Sequence, residues 1–168
     1  AAAIAAIEAL ELSTRATPLG AGLVSCTGNT GCKFAASNTK GTAEAIAEHV
    51  EARLTLDSPL NIHLTGCHHS CAQHYIGDIG MLAVKVPRGE DAEPVEGFTL
   101  YVGGGSGPDA RLGRELWPNI EAERCPTAIE HLLRTYLDHR AAPDETFLDF
   151  TARHPIEALK LLCGETAP

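Results

Sequence analysis

A chain of 168 residues is long enough for one ordinary domain, and its 44% hydrophobic and 21% charged residues describe a soluble, globular protein rather than a disordered one. The formal net charge of −9 argues against nucleic acid as a partner and is unfavourable to docking of an acidic electron carrier. No apolar run approaches the roughly 20 residues that cross a bilayer, so no membrane partner is expected.

The opening stretch, AAAIAAIEAL, predicts a helix over 2–12. It lacks the basic start of a secretory signal, and Glu8 and Glu11 mark it as an ordinary amphipathic helix. It begins with neither methionine nor a capping residue, so the chain is expected to be a piece of something longer. A Pro/Gly-bearing loop, TPLGAG, leads through a short strand, LVS, to Cys26. NTKGTAEAIAEHVEARL carries Ala43, Ile46, Ala47, Val50 and Leu54 at helical spacing, with Thr39 or Thr42 as the expected N-cap. LNIHLT alternates as a strand and delivers Cys67 just past its end. IGMLAVKV and FTLYVGG predict two more strands around a polar loop, PRGEDAEPVEG. Beyond Gly113 the reading is helical: PTAIEHLLRTYLDHR with Pro126 in its first turn, then DETFLDFTARH and PIEALKLLCG, with Gly164 as a C-cap. Strands in the middle with helices around them predict an α/β or α+β fold.

Six cysteines without a secretion signal point to a reducing, cytoplasmic setting, where clustered thiols bind metal more often than they form disulfides. Cys125 and Cys163 have no partner at ligand spacing and are expected to be buried small residues. Cys26 and Cys32 form C-x5-C, and Cys67 and Cys71 form C-x3-C, neither being the C-x2-C common in zinc sites. An iron–sulfur cube takes four thiolates and accepts wider spacings, so the pattern leans towards a cluster without settling it. Gly28, Gly31 and Gly66 would let backbone N–H groups approach sulfur, and Thr27, Thr65 and Ser70 offer hydroxyls for the same purpose. The glycine run VGGGSG lacks the G-x-G-x-x-G order, and no dinucleotide site is expected there.

SCTGNTGCKFAASNTK followed by IHLTGCHHSCAQHYIGDIGMLAVKV resembles the sirohaem and [4Fe-4S] signature of assimilatory nitrite and sulfite reductases. The 34 residues between Cys32 and Cys67 fit the helix and strand of that signature. The resemblance runs from about residue 20 to about residue 153, through Asp78-Ile79-Gly80, YVGGGSGPDARLG and ETFLDF. It implies an α+β fold: a central mixed or antiparallel sheet, flanking helices and a helical C-terminal tail. The implied organisation is an N-terminal helix and linker over 1–20, a sirohaem/[4Fe-4S] domain over 21–140 and the helical tail over 141–168.

By the same resemblance, Cys26, Cys32, Cys67 and Cys71 ligate the cluster, and Cys71 also bridges to the sirohaem iron, where nitrite or sulfite is reduced. Asn29, Lys40, Thr65, Gly66, His69, Ser70 and Gln73 are expected to contact these cofactors beside Cys71. Lys33, Lys85, Arg111 and His74 are further candidates for the sirohaem carboxylates, while His49, His131, His139 and His154 are expected at the surface. His68 and His69 stand where the family commonly has Pro-Asn, and His69 is expected to hydrogen-bond near the cluster. Full reductases of this family are longer, so the implied partners are the N-terminal half of the same reductase, ferredoxin or another donor, and the oxyanion. The leading implied activity is ferredoxin-dependent reduction of nitrite to ammonium. The alternatives are sulfite reduction on the same architecture, a precorrin-3B synthase-like relative, and a non-enzymatic Fe–S or zinc module.

Overall fold

The computed structural model describes residues 2–12, 14–15, 17–89 and 92–168. Ala1, Ser13 and Ala16 of the expected 1–20 segment, and Glu90 and Asp91 of the expected polar loop, lie outside the described residues. The first helix, α1 (Ala2–Glu8), is shorter than 2–12 and buries no residue, and a helix of so few turns with no packed face has little to extend it.

Five strands follow in sheet order β1-β2-β3-β4-β5. They are β1 (Leu23–Ser25), β2 (Ile62–Thr65), β3 (Ile79–Val86), β4 (Val95–Val102) and β5 (Arg114–Glu121). β1, β2 and β3 run parallel, and β3–β4 and β4–β5 pair antiparallel, so the sheet is mixed as expected. The parallel β1–β2 pair is bridged by α2 (Thr39–Glu51), the usual helical crossover. The second crossover, residues 66–78, contains no helix and has little more than the dozen residues such a connection needs. It is therefore a taut loop, and it carries Cys67 and Cys71.

Ile46 and Val50 of α2 are buried with Ile129, Leu132, Leu133 and Tyr136 of α3 (Cys125–His139) against Ile62, Leu64, Met81, Phe98 and Leu100 of the sheet. The tail folds as α4 (Phe147–Arg153) and α5 (Ile156–Cys163), with Gly164 at positive φ as the expected C-cap. Phe147 and Phe150 meet Tyr136 edge-on, at ring centroids 5.4 and 5.5 Å apart. Among the described residues no helix is long and apolar enough to cross a membrane.

Two further expectations need correction. The stretch after Gly113 is not helical at first: it forms β5, with Leu116, Trp117 and Ile120 buried. Pro118 and the adjacent buried pair Leu116–Trp117 break the alternation that would have marked a strand. Both are tolerated because β5 is an edge strand whose register against β4 shifts near Leu100. The N-cap of α2 is Asn38, whose side chain accepts from Gly41 N at 3.0 Å. The two threonines spend their hydroxyls elsewhere, Thr39 on Cys26 O (2.7 Å) and Thr42 on Asn38 O (2.8 Å).

Gly97 of β4 allows strands to pack where a side chain would not fit, since a Cβ there would stand 2.4 Å from Ile120 O and from Val86 Cγ2. Gly97→Ala is therefore expected to destabilise the fold by about 1–3 kcal/mol, the usual cost of overpacking a tight site. Urea unfolding checks this, and an unchanged midpoint would mean that the β4–β5 ladder gives way without cost.

Candidate metal centre

Both cysteine pairs lie just past the carboxyl ends of neighbouring parallel strands, where open sheets of this kind collect ligands. Ser25 of β1 stands opposite Leu64 of β2, and the pairing runs one step further, with Cys26 N donating to Leu64 O at 3.1 Å. Cys26 thus emerges beside Gly66, whose N–H donates to Cys26 Sγ at 3.1 Å. A side chain at 66 would prevent this approach, because its Cβ would come within 2.6 Å of Ala35 Cβ. A further hydrogen bond between the loops is Ala36 N to Gly66 O at 2.8 Å.

The first loop coils on itself to bring Cys32 round, with Cys32 N donating to Gly28 O at 2.9 Å and Ala35 N to Cys32 O at 3.1 Å. The second is a run of tight turns, Ser70 N to Cys67 O (3.1 Å) and Gln73 N to Ser70 O (2.8 Å). Ser70 and Gln73 both adopt left-handed backbone conformations, at φ +54° and +55°. Such conformations are uncommon for residues with side chains, and here they flank Cys71 on either side. Asp78 pins the far end: it is buried, and its carboxylate accepts from Asn61 N and Nδ2 at 2.8 and 3.1 Å. Burial raises its pKa, and the two Asn61 bonds partly offset the rise.

All four cysteines line one cavity of about 260 Å³. All are free thiols, with Cys26, Cys32 and Cys67 half-buried and Cys71 exposed. Among the described residues no three His, Cys, Asp or Glu side chains converge tightly enough for a single metal ion. Four thiols on one cavity match the ligand number of an iron–sulfur cube. The walls fit such an anionic group too. Thr65 Oγ1 is fully buried with no hydrogen-bond partner among the described residues, and Lys40, in the first turn of α2, brings a positive charge.

The other expected contacts divide. Thr65, Gly66 and Lys40 line the cavity; Asn29, His69, Ser70 and Gln73 do not. His69 is exposed, yet its Nδ1 lies 3.3 Å from Cys67 Sγ and its ring meets Phe34 edge-on at 5.3 Å. Asn29 turns its amide to Glu96 of β4, at 2.5 Å. Gln73 is exposed and offers its carbonyl to His63 Nδ1 at 3.2 Å. Lys33 and Lys85 are also exposed, and Arg111 pairs its backbone with Gly105. Ser25, Ala35, Thr39 and Glu96 were not singled out in the sequence as site residues. Only Thr39 carried a signal, as a helix-start hydroxyl.

Cys125 and Cys163 are buried as expected, and burial pushes their thiols up to about 12 and about 11, which leaves them unreactive. Of the histidines expected at the surface, only His139 is exposed; His131 packs against Trp117, and His49 pairs with Glu130 at 2.7 Å. His74 is also buried. It sits against Tyr75 with Nδ1 3.1 Å from Ser70 Oγ and with Nε2 unpartnered among the described residues. Burial, aided by nearby His68, lowers its pKa from 6.5 to about 4.

His74 is therefore neutral near pH 7 and offers no charge to a carboxylate. Between pH 6.5 and 4 the unfolded chain binds a proton at this position that the folded chain refuses, so stability falls as the pH drops through that window. His74→Phe is expected to flatten that part of the pH–stability curve. Unfolding midpoints at pH 7 and pH 5 check it, and an equal acid loss in the variant would clear His74 of the effect.

Residues 21–149 match the family described as the nitrite and sulphite reductase 4Fe-4S domain. A ferredoxin–nitrite reductase of Synechococcus elongatus is 42% identical over 121 residues, 72% of this chain and 23% of that protein. A sulfite reductase [ferredoxin] of Mycolicibacterium paratuberculosis is 31% identical over 163 residues, 94% of this chain and 29% of that protein. The solved structure of the Mycobacterium tuberculosis NirA protein superposes with a TM-score of 0.83 at 30% identity, covering 93% of this chain and 29% of that one. The chain thus spans about a quarter of the length of these relatives. With its mixed sheet, its two cysteine loops at adjoining strand ends and a matched span that includes both, this chain belongs to the nitrite and sulfite reductase family and carries its iron–sulfur domain.

Proposed function

We propose that this chain is the cluster-bearing part of a six-electron reductase, with Cys26, Cys32, Cys67 and Cys71 as the thiolate ligands of one [4Fe-4S] cluster. The observation that carries the reading is the convergence of these four thiols, from two loops, on one cavity. Gly66 N–H and the unpartnered Thr65 hydroxyl supply donors to sulfur, and Lys40 offsets the negative charge of a four-thiolate cluster. Cys71 would be the thiolate that also holds the sirohaem, a role the family resemblance implies, and it is the one exposed thiol of the four. Sirohaem, when bound, supplies the iron at which the oxyanion is reduced. The chain's own contribution at Cys71 is the pair of turns at Ser70 and Gln73 between which its thiol is presented.

The substrate we assign is nitrite, reduced to ammonium with ferredoxin as donor and the remainder of a longer reductase as partner. Its support is the 42% identity to a ferredoxin–nitrite reductase. Sulfite is the second reading, favoured by the sulfite reductase that aligns over 94% of the chain. Turnover of nitrite against sulfite by the full-length protein separates the two.

Iron and sulfide content after anaerobic reconstitution, with absorption and paramagnetic resonance spectra, test the ligand set. Cys71→Ser is expected to lose the cluster, while Cys125→Ala and Cys163→Ala retain full iron content. His69→Asn is expected to keep the cluster and activity, since an amide N–H can still be turned towards Cys67. Tightly held zinc with no cluster spectrum, or full activity in Cys71→Ser, would overturn the assignment.

A further inference from the structure

The C-x5-C loop has an anchor outside the cavity. Glu96 on β4 reaches it with both carboxylate oxygens. Oε1 accepts from Asn29 Nδ2 at 2.5 Å, and Oε2 accepts from Asn38 N at 2.7 Å. Asn29 lies midway between Cys26 and Cys32, and Asn38 is the N-cap of α2, so one carboxylate ties the middle of the loop to its exit. The next residue along β4 repeats the attachment. Gly97 N donates to the buried Ser37 Oγ at 3.1 Å, and that hydroxyl donates to Gly97 O at 3.0 Å. Ser37 O in turn accepts from Asn29 N at 3.1 Å, which closes the loop on itself.

We infer that Glu96 is a positioning residue for the cluster: a two-pronged latch that holds the Cys26–Cys32 loop in ligand geometry by bonding Asn29 and Asn38. The inference rests on the ligand assignment proposed above. A carboxylate suits the task because it accepts only, and both groups that meet it donate. Charge-assisted bonds of this kind are also stronger than neutral ones. Among the described residues, Glu96, Asn29 and Asn38 neither line the cavity nor show a hydrogen bond to a thiol, so the effect on the cluster runs through the loop. A loop held this way has less freedom left to lose when the cluster binds, and less freedom to open and release iron.

The test is a reciprocal exchange in the full-length, cofactor-loaded protein, read as the rate of iron release to a chelator under anaerobic conditions and as the paramagnetic resonance signal of the reduced cluster. Glu96→Ala and Asn29→Asp are each expected to release iron about tenfold faster and to broaden the signal, the first by deleting the acceptor and the second by opposing two carboxylates. The double variant Asn29→Asp/Glu96→Gln is expected to recover the wild-type rate and signal. Its new amide at position 96 accepts from Asn38 N through Oε1 and donates through Nε2 to the carboxylate introduced at position 29. Arg88→Ala, which breaks the neighbouring Arg88–Glu121 pair at the same end of the sheet, controls for general loss of stability and should leave iron release unchanged. Wild-type rates in both single variants, or a double variant worse than Asn29→Asp, would overturn the latch while leaving the ligand set intact. A wild-type protein that binds no cluster would overturn the ligand set and the latch with it.

Discussion

The parallel pairing of β1 with β2 is the constraint on which the rest depends. It is short, three residue pairs from Leu23–Ile62 to Ser25–Leu64, but it points both cysteine loops out of the same sheet end at neighbouring positions. Two residues that are 40 apart in sequence then meet, Gly66 N–H on Cys26 Sγ, and the two loops become one wall. An antiparallel pair would have sent the loops to opposite ends. The helical crossover that parallel pairing demands also has a local consequence, since it brings the first turn of α2, with Lys40, to the cavity wall.

The two crossovers carry their cysteines on loops of different build. The first has room for a coiled loop and a helix; both its cysteines are half-buried, and Cys26 lies against Gly66 N and Thr39 Oγ1. The second must climb back to the start of β3 in residues 66–78 and is held at its end by Asp78 on Asn61. Its shortness forces turns that place Ser70 and Gln73 at positive φ, and Cys71 is carried outwards between them. Cys67, on the same short connection, stays half-buried like Cys26 and Cys32, so the exposure of Cys71 belongs to the turns around it rather than to the crossover as a whole.

Much of this was legible in the residues. Apolar spacing marked α2 and α3, alternation marked β2, and the C-x5-C and C-x3-C pairs marked the loops that face the cavity. β5 was not legible, because an edge strand with a register shift tolerates Pro118 and a buried Leu116–Trp117 pair. Nor was the role of Glu96: read along the chain it belongs to a polar loop, and its partners Asn29 and Asn38 are 67 and 58 residues away. Local pattern reports the period of an element and the chemistry of a motif. It does not report which distant polar group a side chain will find once the sheet has formed.

The histidines show the same division within CHHSCAQH. All are alike in composition, yet His74 is buried against Tyr75 and held neutral, while His68 and His69 face solvent. The separation arises because the turns after Cys71 reverse the chain and drive His74 inwards, where Ser70 satisfies one ring nitrogen. His69 stays outside with its Nδ1 3.3 Å from Cys67 Sγ. A loop built this way keeps a full positive charge out of the interior, where it would be costly, and leaves the charges that answer an anionic centre to Lys40 and to backbone N–H groups fixed by the sheet. The chain's net charge of −9 is then no obstacle to the site, because the donors that matter are those the β1–β2 pairing has already aimed.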